Sequence, residues 1–231
     1  MRRDREAWEA LESGSDHSLL RIYGWSPWTV SLGRHQNPEK SLDFEELSRR
    51  GYGWVRRPSG GRAVFHAEEL TYCLAAPLED IFEGSIAESH HRISQALLRF
   101  YRKLGLSPRL SNPAPARELD PQLPDPCFLA PGLSELELEG KKMAGSAQFR
   151  GKRAFLQHGS LPIGPAHLDL ADLMPGDPAS RKETRRQLNS RSACLSLHLD
   201  RVPSRQRLAE SLMDAFCEEF QIKAPEIQDF R

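Results

Sequence analysis

The period of the apolar residues changes several times along the chain, and each change marks an element. Residues 5–11 predict the end of a helix with Trp8 and Leu11 on one side. Residues 18–25 and 29–33 predict strands around a Ser26-Pro27 turn. Ser41 is a candidate N-cap for a helix over 42–50, with Asp43, Glu45 and Glu46 in its first turn and Gly51 as its stop. Gly53-Trp54-Val55 then enters a turn at Gly60-Gly61 and leaves it through Ala63-Val64-Phe65, and 70–75 is another apolar strand. The clearest helical repeat covers 86–104, where Ile86, Ile93, Leu97, Phe100 and Leu104 share a face and Gly105 ends it. Residues 112–126 are proline-rich, lack periodicity and read as loop. Strict alternation over 135–139 predicts a strand with one wet face, Gly140 turns the chain, and 142–149 and 155–163 read as returning strands. Residues 164–190 are polar, helical or irregular, and 205–220 is a last amphipathic helix on Leu208, Leu212, Phe216 and Phe220. With no repeat and no linker, the pattern predicts one α+β domain over 1–231, with mostly antiparallel sheets and helices packed on their faces.

Composition narrows the function classes. The 231 residues suffice to bury a core, and 32 basic residues balance 32 acidic ones, which gives no bias toward nucleic acid or membrane surfaces. No apolar run is long enough to cross a bilayer, and Met1-Arg2-Arg3-Asp4-Arg5-Glu6 lacks a signal peptide's apolar core, so a cytoplasmic protein is expected. Cys73, Cys127, Cys194 and Cys217 form no C-x-x-C pair, which argues against a zinc site or a disulfide framework.

Three segments carry candidate chemistry. The first is Arg56-Arg57-Pro58-Ser59-Gly60-Gly61-Arg62-Ala63-Val64-Phe65-His66. Its glycines let backbone N–H groups approach an oxygen-rich ligand, and its arginines add donors, which suits a phosphate, a carboxylate or a polarised carbonyl. The bland alternative is a plain hairpin turn. The second is Gly140-Lys141-Lys142-Met143-Ala144-Gly145-Ser146-Ala147-Gln148, where small residues leave Lys142 beside open space instead of under bulky neighbours. An ammonium there can grip an oxygen or lower the pKa of a nearby thiol, although a strand lysine after a turn is ordinarily a solvated edge residue. The third is Pro126-Cys127-Phe128, where the long loop meets the next strand. A cysteine is most often a small buried hydrophobe; as a nucleophile Cys127 needs partial exposure and a nearby cation. His66 and His158 read as hydrogen-bonded structural histidines, His90 and His91 as packing or solvent residues, and Cys73 and Cys217 as core, with Cys194 open.

Together these segments resemble the lipoate–protein ligase and octanoyltransferase family, which shares a catalytic fold with biotin protein ligases. The stretch from Arg56 to His66, followed by Glu69-Leu70-Thr71-Tyr72, is similar to that family's Arg-Arg-x-x-Gly-Gly signature. The 140–148 segment resembles its Gly-(Arg/Lys)-Lys-x-x-Gly-Ser-Ala-Gln motif, and Leu156-Gln157-His158-Gly159-Ser160-Leu161 its closing strand. Cys127-Phe128-x-Ala-Pro131 resembles the cysteine-bearing octanoyltransferase branch, where ligases carry other residues. About 30 residues follow the last matching segment, too few for the ligases' extra C-terminal domain. The family begins with a strand ahead of its first helix, whereas this chain starts almost at that helix, and residues 111–126 look individual.

The resemblance implies an octanoyltransferase that moves octanoate from octanoyl-acyl carrier protein, through a Cys127 thioester, to a lysine of a lipoyl domain such as the glycine-cleavage H protein. Lys142 would hold the thiol reactive and steer the carbonyl. Arg57, Ser59, Gly60, Gly61, Arg62, Ala63, Val64, Phe65 and His66 would line the donor pocket, with Gly145, Ser146, Ala147, His158 and Gly159 as its far wall. No cofactor is required on this reading. The competing readings are an ATP- and Mg-dependent lipoate ligase, an amidotransferase between lipoyl domains, and a non-catalytic binder of acylated carrier domains.

Overall fold

A computed structural model describes residues 1–79, 82–111 and 135–222. Cys127 and the expected 112–126 loop therefore lie outside the described residues. Helix α1 (Arg2–Glu12) leads into β1 (Leu19–Tyr23) and β2 (Thr29–Leu32), followed by α2 (Pro38–Ser41), α3 (Phe44–Arg49), β3 (Gly53–Arg56), β4 (Val64–His66) and β5 (Glu69–Pro77). Then come α4 (Ile86–Lys103), β6 (Arg109–Ser111), β7 (Glu135–Leu138), β8 (Lys141–Lys142), β9 (Gly145–Arg150), β10 (Ala154–Pro162), a 3-10 segment (Pro165–Leu173), α5 (Pro178–Arg191) and α6 (Arg205–Phe220).

The strands form three sheets, ordered β1-β5-β10-β9, β3-β2-β4 and β6-β7-β8. All pairings are antiparallel except β2 with β3. The α+β class with packed helices is as the apolar pattern predicts. Helices α4 and α6 pack together over the four-stranded sheet and close the main core, where Tyr72, Phe100, Tyr101, Phe155 and Phe216 are wholly buried. A second core lies between the three-stranded sheet of β2, the 3-10 segment and α5; it holds Val30, Leu32, Leu47, Phe65, Leu173 and Leu188. Among the described residues no helix is long and apolar enough to cross a membrane.

Several local expectations need correction. Ser41 does not cap the 42–50 helix but ends α2; the cap is Asp43, whose carboxylate accepts the Glu46 N–H at 3.0 Å. Leu42 must be extended to reach the second core, so the helix cannot start before it. Ile86 is 44% exposed because the first turn of α4 overhangs the core. That helix starts instead at a capping box in which Ser85 and Glu88 bond each other's backbone N–H, a device typically worth ~1 kcal/mol. The 142–149 segment is not one strand. It breaks at Met143 and Ala144, where the Met143 N–H donates to Leu136 and its carbonyl accepts from the Tyr101 hydroxyl, so β8 and β9 join different sheets.

The Gly60-Gly61 turn is not a hairpin. β3 and β4 pair with opposite sides of β2, and the turn crosses its end. A side chain at Gly33 would sit 1.9 Å from the Gly61 carbonyl oxygen, and Gly61 itself has φ of +87°, so both glycines are dictated by the crossing. Arg57 fastens the turn from inside: its buried guanidinium donates to the carbonyls of Ser31, Gly60 and Arg62.

Candidate active site

Where the sheets of β2 and β5 meet, a cleft of roughly 350 Å³ opens. Its first wall is contributed by Ser31 on β2, Arg57 on the crossing turn, Val64 and His66 on β4, and Thr71 on β5. Its second wall is Gly145, Ser146 and Ala147 on β9 with His158, Gly159 and Ser160 on β10. Met1, Tyr23 and Trp25 complete its border.

Strand geometry decides which of the signature residues reach this space. Successive side chains on β4 alternate, so Val64 and His66 face the cleft, while Phe65 packs beside Trp28 and Tyr52 in the second core. Gly60, Gly61, Arg62 and Ala63 make the crossing itself and do not border the cleft. Ser59, wholly buried, sits behind the second wall with its Oγ 2.5 Å from His158 Nε2. Lys142 is 7% exposed on β8, outside the cleft lining, where its carbonyl accepts from the Ala193 N–H. The lysine is thus buried and not the solvated edge residue of the bland reading.

The first wall is wired throughout. His66 Nδ1 lies 2.7 Å from Glu69 Oε1, and His66 Nε2 lies 2.7 Å from Ser31 Oγ. Glu69 also accepts the hydroxyls of Thr71 and Ser160. Trp25 donates its indole N–H to Thr71 at 2.8 Å and stacks on His66 with centroids 4.5 Å apart. Arg57 Nη1 donates to Ser31 Oγ at 3.1 Å. A carboxylate only accepts, so His66 Nδ1 carries a proton toward Glu69.

The second wall is bare by comparison. A Cβ on Gly159 would meet Tyr72 Cε1 at 2.4 Å and Ser146 Oγ at 2.7 Å, so this strand carries no side chain where the sheet faces the ring. The Tyr72 hydroxyl is shared between Ser146 at 2.8 Å and Gln157 at 2.9 Å, and burial pushes its pKa up to about 12. His158 is pushed down to about 3 by burial and by the Arg57 guanidinium, so it is neutral, and its Nδ1 has no partner among the described residues. Cys73 lies in β5 with its thiol raised well above the usual range by burial and by Asp4, which makes it inert.

Tyr23, Trp25, Ser31, Thr71 and Ser160 were not among the residues expected from sequence, and Glu69 was quoted within the signature without a role. One signal could have found Ser31: a lone hydroxyl between Val30 and Leu32 in a wholly buried strand needs a partner.

A cleft with hydrogen-bonded side chains along one side and small residues along the other makes a candidate ligand site. The chain belongs to the lipoyl protein ligase A/B catalytic domain family, whose profile matches residues 1–217. Among its relatives, the octanoyltransferase LipM of Kyrpidia tusciae is 38% identical over 214 residues, covering 90% of this chain and 78% of that one. The LipM octanoyltransferase of Bacillus subtilis is 34% identical over 220 residues, covering 84% and 78%. In fold the chain is similar to a bi-partite lipoate protein ligase from Thermoplasma acidophilum, with a TM-score of 0.74 at 24% identity over 100% of this chain and 81% of that one. It is likewise similar to a lipoate-protein ligase A bound with ATP, with a TM-score of 0.72 at 22% identity over 99% and 80%.

Proposed function

We propose that this chain is an octanoyltransferase of lipoate biosynthesis, taking octanoate from octanoyl-acyl carrier protein and delivering it to a lysine of a lipoyl domain. The observation that carries this reading is the 34–38% identity, over most of the chain, to relatives that are octanoyltransferases. The ligases are similar at the level of fold alone. The small residues Gly145, Ala147 and Gly159 along one wall leave room for a straight acyl chain. Burying such a chain contributes ~5 kcal/mol at about 0.8 kcal/mol per methylene, enough to seat the donor before chemistry.

The reaction divides into two acyl transfers. Cys127, assigned from its Cys127-Phe128-x-Ala-Pro131 context, attacks the donor thioester as a thiolate; the carrier's thiolate leaves and an octanoyl-Cys127 thioester remains. The ammonium of Lys142 favours the thiolate and opposes charge developing on the carbonyl oxygen. The acceptor lysine then attacks this second thioester, an amide forms, and the cysteine is released. Both donors are already activated, so the chemistry needs neither ATP nor Mg. The whole chain acts as the catalytic domain, in the cytoplasm.

The test is octanoylation of a purified lipoyl domain from octanoyl-acyl carrier protein without nucleotide. Transfer that Cys127→Ala abolishes is expected. Transfer that requires ATP and survives Cys127→Ala would replace the transferase with a ligase. Activity only from an already octanoylated lipoyl protein would make it an amidotransferase.

A further inference from the structure

Two lysines stand side by side in β8, and they are turned to different surroundings. Lys142 is buried, whereas Lys141 is half-buried and donates to the Asn189 carbonyl in the last turn of α5 at 3.0 Å. β8 has little of its own with which to hold that choice. It is two residues long, and its ladder to β7 has two pairs, Glu137 with Lys142 and Leu138 with Lys141. Side chains alternate along a strand, so a slip of one residue would give Lys141 the face that Lys142 occupies.

The register is held from the side away from β7. Ser192, the residue that ends α5, is extended and bridges Lys142 in parallel. The next N–H, from Ala193, donates to the Lys142 carbonyl at 3.0 Å. Three residues further on, the Ser196 N–H donates to the carbonyl of Ile163, just past β10, at 3.0 Å. Residues 192–196 thus form a strap between β8 and the strand that brings His158, Gly159 and Ser160 to the cleft. The Ser192 side chain fastens the strap. It is wholly buried, its hydroxyl donates to the Leu188 carbonyl at 2.7 Å, and His167 Nε2 of the 3-10 segment lies 2.9 Å from the same oxygen. His167 is buried too, with Nδ1 3.3 Å from the Gly164 carbonyl. A buried hydroxyl engaged on both sides cannot shift without leaving a polar group unpaired.

We infer that Ser192, held by His167, is a positioning residue that fixes β8 in the register presenting Lys142, and not Lys141, to the reaction. The inference rests on the octanoyl-transfer reading above, in which the Lys142 ammonium favours the thiolate and steers the carbonyl. Ser192 acts through the backbone of β8 and not on the reacting atoms. Its hydroxyl ties three elements at one point: the last turn of α5, the 3-10 segment and the two-residue strand that carries the lysine.

Two measurements on the full chain test it. Trace acetylation with acetic anhydride, followed by digestion at glutamate and fragmentation mass spectrometry, reads Lys141 and Lys142 separately and assumes nothing about the substrate. The wild-type protein is expected to label Lys141 ahead of the buried Lys142. Ser192→Ala should raise the ratio of Lys142 to Lys141 labelling several-fold at temperatures well below melting. The second measurement is steady-state octanoyl transfer, where the same variant should lose roughly 10- to 100-fold in kcat with KM for the acyl donor near the wild-type value. His167→Leu should act in the same direction, and His167→Gln, which keeps an amide within reach of Ser192, should restore part of the loss. Should Ser192→Ala not fold, the two His167 variants carry the test. A lowered melting temperature with wild-type labelling and wild-type kcat would make the pair simple packing and overturn the inference. So would an altered labelling ratio with wild-type kcat while Lys142→Ala is inactive. Wild-type transfer in Lys142→Ala would instead remove the lysine from the octanoyl reading and take the purpose of the strap with it, an outcome seen without any variant of Ser192 or His167.

Discussion

The two walls of the cleft are built from opposite materials. On the side of β2, β4 and β5, hydrogen bonds run without a break from Arg57 through Ser31 and His66 to Glu69. On the side of β9 and β10 the lining is Gly145, Ser146, Ala147, Gly159 and Ser160, small residues whose two hydroxyls are engaged by Tyr72 and Glu69, with a neutral His158 whose Nδ1 meets nothing among the described residues. The neighbours of the two histidines differ in sign: His66 meets the Glu69 carboxylate, whereas burial and then the Arg57 guanidinium hold His158 neutral. Fixed dipoles are useful where charge develops, and a bare surface is useful where only methylenes pass. Under the octanoyl-transfer proposal, the wired wall would meet the reacting carbonyl and the wall of small residues the acyl chain.

Changes at four positions break or sharpen that division. The largest effect is expected outside the described residues: Cys127→Ala should lower octanoyl transfer by roughly 1000-fold or more, since on the proposed mechanism no other group replaces the nucleophile. A steady-state assay that found appreciable transfer would mean a wall residue takes the acyl group directly. On the wired wall, Arg57→Lys keeps the charge but cannot hold the carbonyls of Ser31, Gly60 and Arg62 together. A loss of about 2–3 kcal/mol in chemical denaturation is expected, with kcat reduced in the protein that remains folded. On the bare wall, Gly159→Ala pushes a methyl into the Tyr72 ring; it should destabilise by about 1–3 kcal/mol and raise KM for the acyl donor more than it lowers kcat.

The remaining effect, on stability and not on transfer, is a pH dependence at His158. Its pKa is depressed to about 3 in the folded state, so the unfolded chain binds the proton first as pH falls below about 6.5. The stability present above pH ~6.5 is therefore lost progressively down to the folded value, at up to ~1.4 kcal/mol per pH unit. Between pH ~6.5 and ~4.5, above the range of most carboxylates, His158→Leu should flatten the slope of unfolding free energy against pH. An unchanged slope would mean His158 is not buried neutral.

Much of the fold was legible because long amphipathic repeats report their own burial. The 205–220 helix is observed as α6 (Arg205–Phe220), and β1 (Leu19–Tyr23) and β5 (Glu69–Pro77) fall close to the expected strands at 18–25 and 70–75. What the pattern could not give was which strand pairs with which. Gly60-Gly61 looks the same in a hairpin as in a crossing; only the approach of Gly33 to Gly61 distinguishes them, and that contact is long-range. The same holds for the site. His66, His158, Gly145 and Gly159 were legible from motif, but Ser31 and Glu69 join the wall only once β2, β4 and β5 are brought together. Phe65, adjacent to two cleft residues in sequence, turns the other way because a strand alternates.

The most direct test of the central claim, that this cleft serves a covalent acyl transfer through Cys127, is intact-mass analysis after mixing with octanoyl-acyl carrier protein in the absence of nucleotide. A single octanoyl adduct is expected that hydroxylamine removes, that Cys127→Ala does not form, and that disappears when a lipoyl domain is added. A wild-type protein that stays unmodified while octanoylating the lipoyl domain would contradict it.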